Sequence, residues 1–154
     1  MKNNGFTLIE TLVAIFLLTV GTVGSFSLMQ QATSFASIAS SQFVASYLAQ
    51  EGIEIIRNIR DANYLNGRNW DDYITEGTGR LSYSSIEFPD TICDTYLQHN
   101  GSFYICSDTG KFQREITVIK SVEPEKMVVS VVVSWSERGA EHSVSAETEL
   151  YKWR

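Results

Sequence analysis

Between Thr11 and Gln50 the chain has no Asp, Glu, Lys or Arg. Over its first part, Thr11 to Met29, that absence argues against a surface helix of an ordinary globular domain, whose outer face carries charged residues. Proline is scarce as well: there are two, and none precedes Pro89, so no ring interrupts a helix in the first half. The two histidines, His99 and His142, fall in different predicted elements, and the two cysteines, Cys93 and Cys106, are too few for a four-ligand metal centre. Basic residues are outnumbered 12 to 18, a formal net charge of −6, which argues against a phosphate-backbone binder with a clustered basic surface. There is no Gly-rich phosphate loop, no nucleophile elbow and no histidine placed with a Ser or Cys partner. The chain therefore reads as a substrate of enzymes rather than an enzyme, with no cofactor and no metal expected. Disorder is disfavoured by 19% charged residues and two prolines. At 154 residues, one domain with a real core is the expectation.

What is present at the start is an apolar run. Thr11 to Met29 is apolar or small throughout, matching the ~20 helical residues that cross a hydrocarbon core. Lys2 and the amino terminus precede it and no basic residue follows until Arg57, which predicts a cytoplasmic N-terminus and an exported remainder. A cleaved secretory signal is the competing reading, with Ser34-Phe35-Ala36 as a small-x-small site. Against it stands Glu10. A charge in an apolar segment costs about 2.5–3.5 kcal/mol at the centre and less near the edge, and a disposable signal has no use for it.

Gly5-Phe6-Thr7-Leu8-Ile9-Glu10 resembles the class III signal of type IV prepilins and type II secretion pseudopilins: a short polar leader with a Lys, Gly before Phe, and Glu fifth after the Gly. The resemblance implies that a membrane aspartyl peptidase cuts between Gly5 and Phe6 and methylates the new N-terminal Phe6. It further implies that Glu10 neutralises the terminal amine of a neighbouring subunit during assembly. The physics is independent of the family. An amine released inside an apolar layer needs an anion, and Glu10 is the candidate; lying four residues from Phe6, it can also partner within its own helix. The partners implied are other pilin or pseudopilin subunits, the prepilin peptidase, an inner-membrane assembly platform, and lipid before assembly. The implied location is a single-pass membrane protein that enters a cell-surface or envelope-spanning filament.

Gly21 and Gly24 sit three apart in the apolar helix, either as points where it loses regularity in a filament or as small residues permitting close helix contact. The helix is predicted to run to about Arg60, ~55 residues and ~80 Å at 1.5 Å per residue. Val44, Leu48, Ile55 and Ile59 form one apolar face that includes Gly52, where a sheet could approach closely or Gly is merely tolerated. Ile53 and Ile56 fall off that stripe and are expected at the surface of an isolated subunit. Asp61 to Arg80 reads as a loop, with a turn at Asn66-Gly67 and Trp70 and Tyr73 as anchors. Asp71 and Asp72 are expected to be solvated, and no spacing resembles a calcium loop.

The C-terminal half changes to period two. Met127, Val129, Val131, Val133 and Trp135 form the apolar side of a strand, Glu137-Arg138-Gly139 a turn, and His142, Val144, Ala146, Thr148 and Leu150 the next inner side. With Phe103–Cys106 and Phe112–Ser121 before them, and Pro124 in a short link, these predict an antiparallel meander of about four strands covered by the helix. The expected fold is α+β, the pilin fold. Its parts are leader 1–5, transmembrane and assembly helix 6–30, amphipathic half 31–60, and globular loop-and-sheet domain 61–154. The ending, with its Val-rich strand, Trp135, Gly turn and Tyr151-Lys152-Trp153, resembles minor pilins and minor pseudopilins of the V/I type. Export permits a Cys93–Cys106 disulfide, the alternative being two buried thiols. Asn100-Gly101-Ser102 fits a glycosylation sequon. The functional expectation is a structural subunit of a type IV pilus or type II secretion pseudopilus. The alternative is a minor pilin at a filament tip, acting as an adhesin or binding DNA or a surface, with Arg57, Arg60 and Arg68 as a local basic patch.

Overall fold

The computed structural model describes residues 5, 7–91, 93, 96–122 and 125–152; Phe6, Pro124 and Trp153, which carried sequence readings, lie outside them. Among the described residues the elements are one helix, α1 (Leu8–Leu65), and six strands: β1 (Gly77–Gly79), β2 (Tyr96–His99), β3 (Tyr104–Ser107), β4 (Phe112–Ser121), β5 (Lys126–Glu137) and β6 (Ala140–Tyr151). The chain divides into two compact units, Met1–Ser40 and Ser41–Arg154, and α1 contributes to both. In the first unit the helix is unbroken through Gly21 and Gly24.

In the second unit the helix packs on the sheet, an α+β, pilin-like architecture. The strands lie in the order β3-β2-β4-β5-β6, with β1 also paired to β4, and every pairing is antiparallel. The four strands predicted from alternation are present as β3 to β6, and two more, β1 and β2, join them. Only β4-β5-β6 is a simple meander. The β2–β3 hairpin is turned so that β2, through Leu97 opposite Phe112, sits beside β4 and β3 takes the edge. The β5–β6 connection is two residues long, Glu137 pairing with Ala140. Arg138 and Gly139 have φ of 56° and 77°, the type I′ turn whose twist suits two antiparallel strands.

Helix α1 ends at Leu65, five residues beyond the predicted Arg60. The stop is chemical. Gly67, at φ 67°, takes the left-handed conformation after the last turn; its N–H bonds to the Tyr64 carbonyl at 3.1 Å, and the Arg68 N–H bonds to the Asn63 carbonyl at 2.9 Å. Those two bonds are the Schellman pattern, which satisfies carbonyls the helix leaves open.

The buried strip of α1 runs Ser41, Ala45, Leu48, Ala49, Gly52, Ile55, Ile56, Ile59, Arg60, Asn63. Leu48, Ile55 and Ile59 are inside as the spacing predicts, but Ile56, expected at the surface, is fully buried. Ile53 and Val44 are partly buried against the core. The reason is width: a sheet covers more of a helix than one narrow stripe, so positions one turn-quarter to the side are enclosed too. From the sheet, Ile116, Val118, Met127, Val129, Val131 and Val133 are each fully buried, the period-two faces of β4 and β5.

At Gly52 the helix backbone comes close to the sheet. A Cβ there would stand 3.1 Å from Val131 Cγ1 and 3.3 Å from Ile116 Cδ1. Arg114, in phase with Phe112 and Ile116 on the inner face of β4, passes through this gap with 2% of its surface exposed. Its Nη1 donates to the Leu48 carbonyl at 3.0 Å and to Glu51 Oε2 at 2.7 Å, and its Nη2 donates to the Leu81 carbonyl at 2.9 Å. Burial lowers the Arg114 pKa from its ordinary value, and the Glu51 carboxylate partly offsets that. Loop 66–74 closes over the helix end, burying Trp70, while Tyr73, expected as a second anchor, stays half exposed under the Arg68 guanidinium, 5.0 Å from its ring centre. Asp71 is ion-paired to Lys120 at 2.7 Å rather than simply solvated.

Candidate functional site

The N-terminal half of α1 carries the chemistry the sequence singled out. Its start is set by Thr7: the Thr7 carbonyl accepts from the Glu10 and Thr11 N–H groups at 3.1 and 3.2 Å, and the Thr7 hydroxyl accepts from the Glu10 N–H at 3.4 Å. Thr7-Leu8-Ile9-Glu10 thus has the T-x-x-E form of a capping box, with the threonine half made. Glu10 is exposed in the first turn, where the unpaired N–H groups and the helix dipole favour an anion. The capping-box spacing is readable in the sequence as Thr7-x-x-Glu10.

Gly5 is exposed, lies outside the helix and has nothing within 4 Å of where a Cβ would project. The Gly5 side of the expected cleavage junction is thus open, while Phe6 falls outside the described residues.

Beyond Glu10 the helix is apolar in every direction. Leu12, Val13, Ile15, Phe16, Leu17 and Leu18 are each more than half exposed and point around the whole axis. A helix with no polar face is stable in hydrocarbon or among other helices, not in water. Five hydroxyls in this stretch are turned inward to their own backbone: Thr11 to the Leu8 carbonyl, Thr19 to Phe16, Thr22 to Leu18 and Thr19, Ser25 to Gly21, and Thr33 to Met29, all at 2.8–3.0 Å. Each donor is satisfied without a partner from outside, as an apolar solvent requires. Helix α1 is long and apolar enough to cross a membrane. Glu10 is left as its one charged side chain before Glu51.

In the second unit Cys93 and Cys106 are joined by a disulfide, thirteen residues apart in sequence. The bridge ties the segment before β2 to β3. His99 and His142 lie on different strands, β2 and β6. Asn100 caps the β2–β3 hairpin, its Oδ1 accepting from the Ser102 and Phe103 N–H groups at 3.0 and 2.9 Å. Of the three arginines suggested as a basic patch, Arg57 is paired to Glu54 and Arg60 to Asp61, while Arg68 lies over Tyr73. They do not form one free cationic surface.

Residues 1–26 match the family model of the prokaryotic N-terminal methylation motif. No curated protein matches the chain, and no solved structure does. The motif coincides with the capped helix start and the all-round apolar segment. That coincidence supports a type IV prepilin-like protein, with an N-terminal helix long and apolar enough to serve as a membrane anchor.

Proposed function

We propose that the chain is a structural subunit of a type IV pilus or a type II secretion pseudopilus, cut between Gly5 and Phe6 and N-methylated at Phe6. The observation that carries this is the pairing of an apolar helix surface on all sides with a single carboxylate, Glu10, in its first turn. Such a helix is stable in lipid and equally so against identical helices in a filament core, and Glu10 supplies the counter-charge for an incoming terminal amine. The N-terminus stays cytoplasmic and the second unit is exported, in keeping with a disulfide there. The Val-rich β5, Trp135 and the Gly139 turn favour a minor subunit of the V/I type.

Co-expression of the full chain with a prepilin peptidase tests the reading. Intact mass should show loss of Met1 to Gly5 and gain of one methyl group. Retention of the full chain, or a cut near Ala36, overturns it.

A further inference from the structure

Among the described residues, strand β6 closes one side of the sheet and no strand pairs with its outer edge. Edge strands in natural proteins are commonly blunted by brevity, a bulge, a proline or a lysine. β6 has none of these. It is twelve residues long, contains no Pro or Lys, and keeps an unbroken register against β5 from Ala140 to Tyr151.

The two-residue turn fixes which backbone groups are free. In such a hairpin the closing pair, Glu137 and Ala140, exchanges hydrogen bonds, and bonded pairs recur at every second residue. The Lys152 N–H, bonded to the Glu125 carbonyl, continues the same even-numbered phase. The N–H and C=O groups of Glu141, Ser143, Ser145, Glu147, Glu149 and Tyr151 therefore point away from the sheet. Their side chains all lie on the exposed outer face, so an added antiparallel strand would set its own residues directly opposite the carboxylates of Glu141 and Glu147, and of Glu149, which Lys126 already pairs.

The other face of such a strand would meet a groove. It runs between α1 and β6 and is lined by Tyr47, Glu51, Ile53, Glu54, Arg57 and Thr148. The inner residues of β6 beside it, Val144 and Ala146, are only partly covered. Small apolar side chains from an added strand would complete that cover.

We infer that the β6 edge is a docking site for an extended segment of a partner protein that has Lys or Arg at alternate positions and small apolar residues between them. Main-chain bonds to the edge supply affinity, and the carboxylates select the charge of the occupant. A second copy of β6 is a poor occupant. Two-fold pairing centred on Ser145 puts Glu141 opposite Glu149 and gathers both copies' carboxylates on one face, where like charges repel. This docking does not depend on cleavage at Gly5 or on filament entry, so it can fail while the filament reading stands, and the reverse.

The test uses the full chain in detergent micelles with a peptide of about twelve residues alternating Lys and Val, a length matched to the strand. Amide exchange followed by NMR should slow at Glu141, Ser143, Ser145, Glu147 and Glu149 on adding the peptide, with the even-numbered positions unchanged. A Glu/Val peptide should bind at least about tenfold more weakly. Ser145→Pro removes an outward N–H without breaking a ladder bond, and should abolish the protection. Glu141→Lys with Glu147→Lys should reverse the preference between the two peptides; that reversal is read even if the proline variant misfolds. Equal binding of both peptides, protection that survives Ser145→Pro, or an unaltered preference in the double lysine variant overturns the inference. Protection that rises with protein concentration in the absence of peptide also overturns it, and names a second copy as the occupant.

Discussion

The Arg114 side chain crosses from sheet to helix at Gly52: its Cδ lies 3.2 Å from the point where a Gly52 Cβ would stand, and its Nη1 reaches the Leu48 carbonyl one turn earlier. Gly52 is the only residue of α1 between Ser41 and Leu65 with no side chain, and the guanidinium uses that gap. The two positions are coupled, so substitution at one changes what the other can tolerate.

Gly52→Ala gains about 1 kcal/mol of helix propensity and loses about 1–3 kcal/mol to overpacking. A net loss of about 1 kcal/mol is expected, with Gly52→Val losing about 3. Thermal melts of the full chain in micelles, followed by near-UV dichroism, give the order wild type, Ala, Val.

Burial lowers the Arg114 pKa more than Glu51 restores it, so its charged form is less favoured there than in water. Replacing a buried ion pair by an apolar side chain of similar length is often neutral or stabilising, whereas removing one partner is not. Arg114→Met together with Glu51→Met replaces both partners and should therefore hold or raise the melting temperature. Glu51→Gln should lower stability by about 1–3 kcal/mol, below the usual cost of breaking a buried pair, because Glu51 is about one-third exposed. A larger loss in the double variant than in Glu51→Gln alone would contradict this.

At the far end of the β5–β6 pair, Lys126 and Tyr151 both hydrogen-bond Glu149, at 2.6 and 2.5 Å. The Lys126 bond, then the Tyr151 bond, lowers the Glu149 pKa from its ordinary 4.5, and the bond to Glu149 raises that of Lys126 from 10.5. The depressed carboxyl contributes stability above its unfolded pKa and loses it as pH falls through the folded one. The raised amine contributes below its unfolded pKa and loses it as pH rises through the folded one. The pair is thus fully favourable between the carboxylate and lysine ranges. In a carbon-13 NMR titration the Glu149 midpoint should lie below 4.5 and move up in Lys126→Ala; an unmoved midpoint rules out the Lys126 bond as its cause.

Reduction of the Cys93–Cys106 bridge, or Cys93→Ser with Cys106→Ser, should destabilise the second unit by about 3 kcal/mol, the loop-closure value for a span of this size. Melts with and without reductant should differ for the wild type and coincide for the double serine variant.

Glu10→Gln should leave membrane insertion and cleavage after Gly5 intact, since only a charge is removed from the apolar segment. Filament recovery should fall, because the Phe6 amine would enter a subunit interface unpaired. Processed protein that incorporates normally would leave Glu10 with only its favourable place in the first turn, near the positive end of the helix dipole.

The apolar run, the Gly-Phe junction and the alternation of β5 and β6 were readable because each is a property of consecutive residues. β1 and β2 were not. Gly77-Thr78-Gly79 has no alternation of its own and is a strand only because residues 116–118 pair with it. Ile56 was misplaced because helical spacing gives the centre of a buried strip but not its width, which the sheet decides. Arg114 was passed over although it stands in phase with Phe112, Ile116 and Val118; an arginine on an apolar alternation was the available signal for a buried guanidinium. The helix end was legible in principle from Asn66-Gly67, since Gly just past a helix is the residue that lets the last carbonyls be recaptured.

The inward-turned hydroxyls of Thr11, Thr19, Thr22, Ser25 and Thr33 make the anchor indifferent to which apolar medium surrounds it. None of them has a partner to exchange when lipid is replaced by another subunit. On the proposed filament reading, moving from a bilayer into a protein lattice carries no hydrogen-bond toll at these five hydroxyls, and the charge difference between the two surroundings is concentrated at Glu10. A single carboxylate can thus decide where an otherwise solvent-blind helix comes to rest.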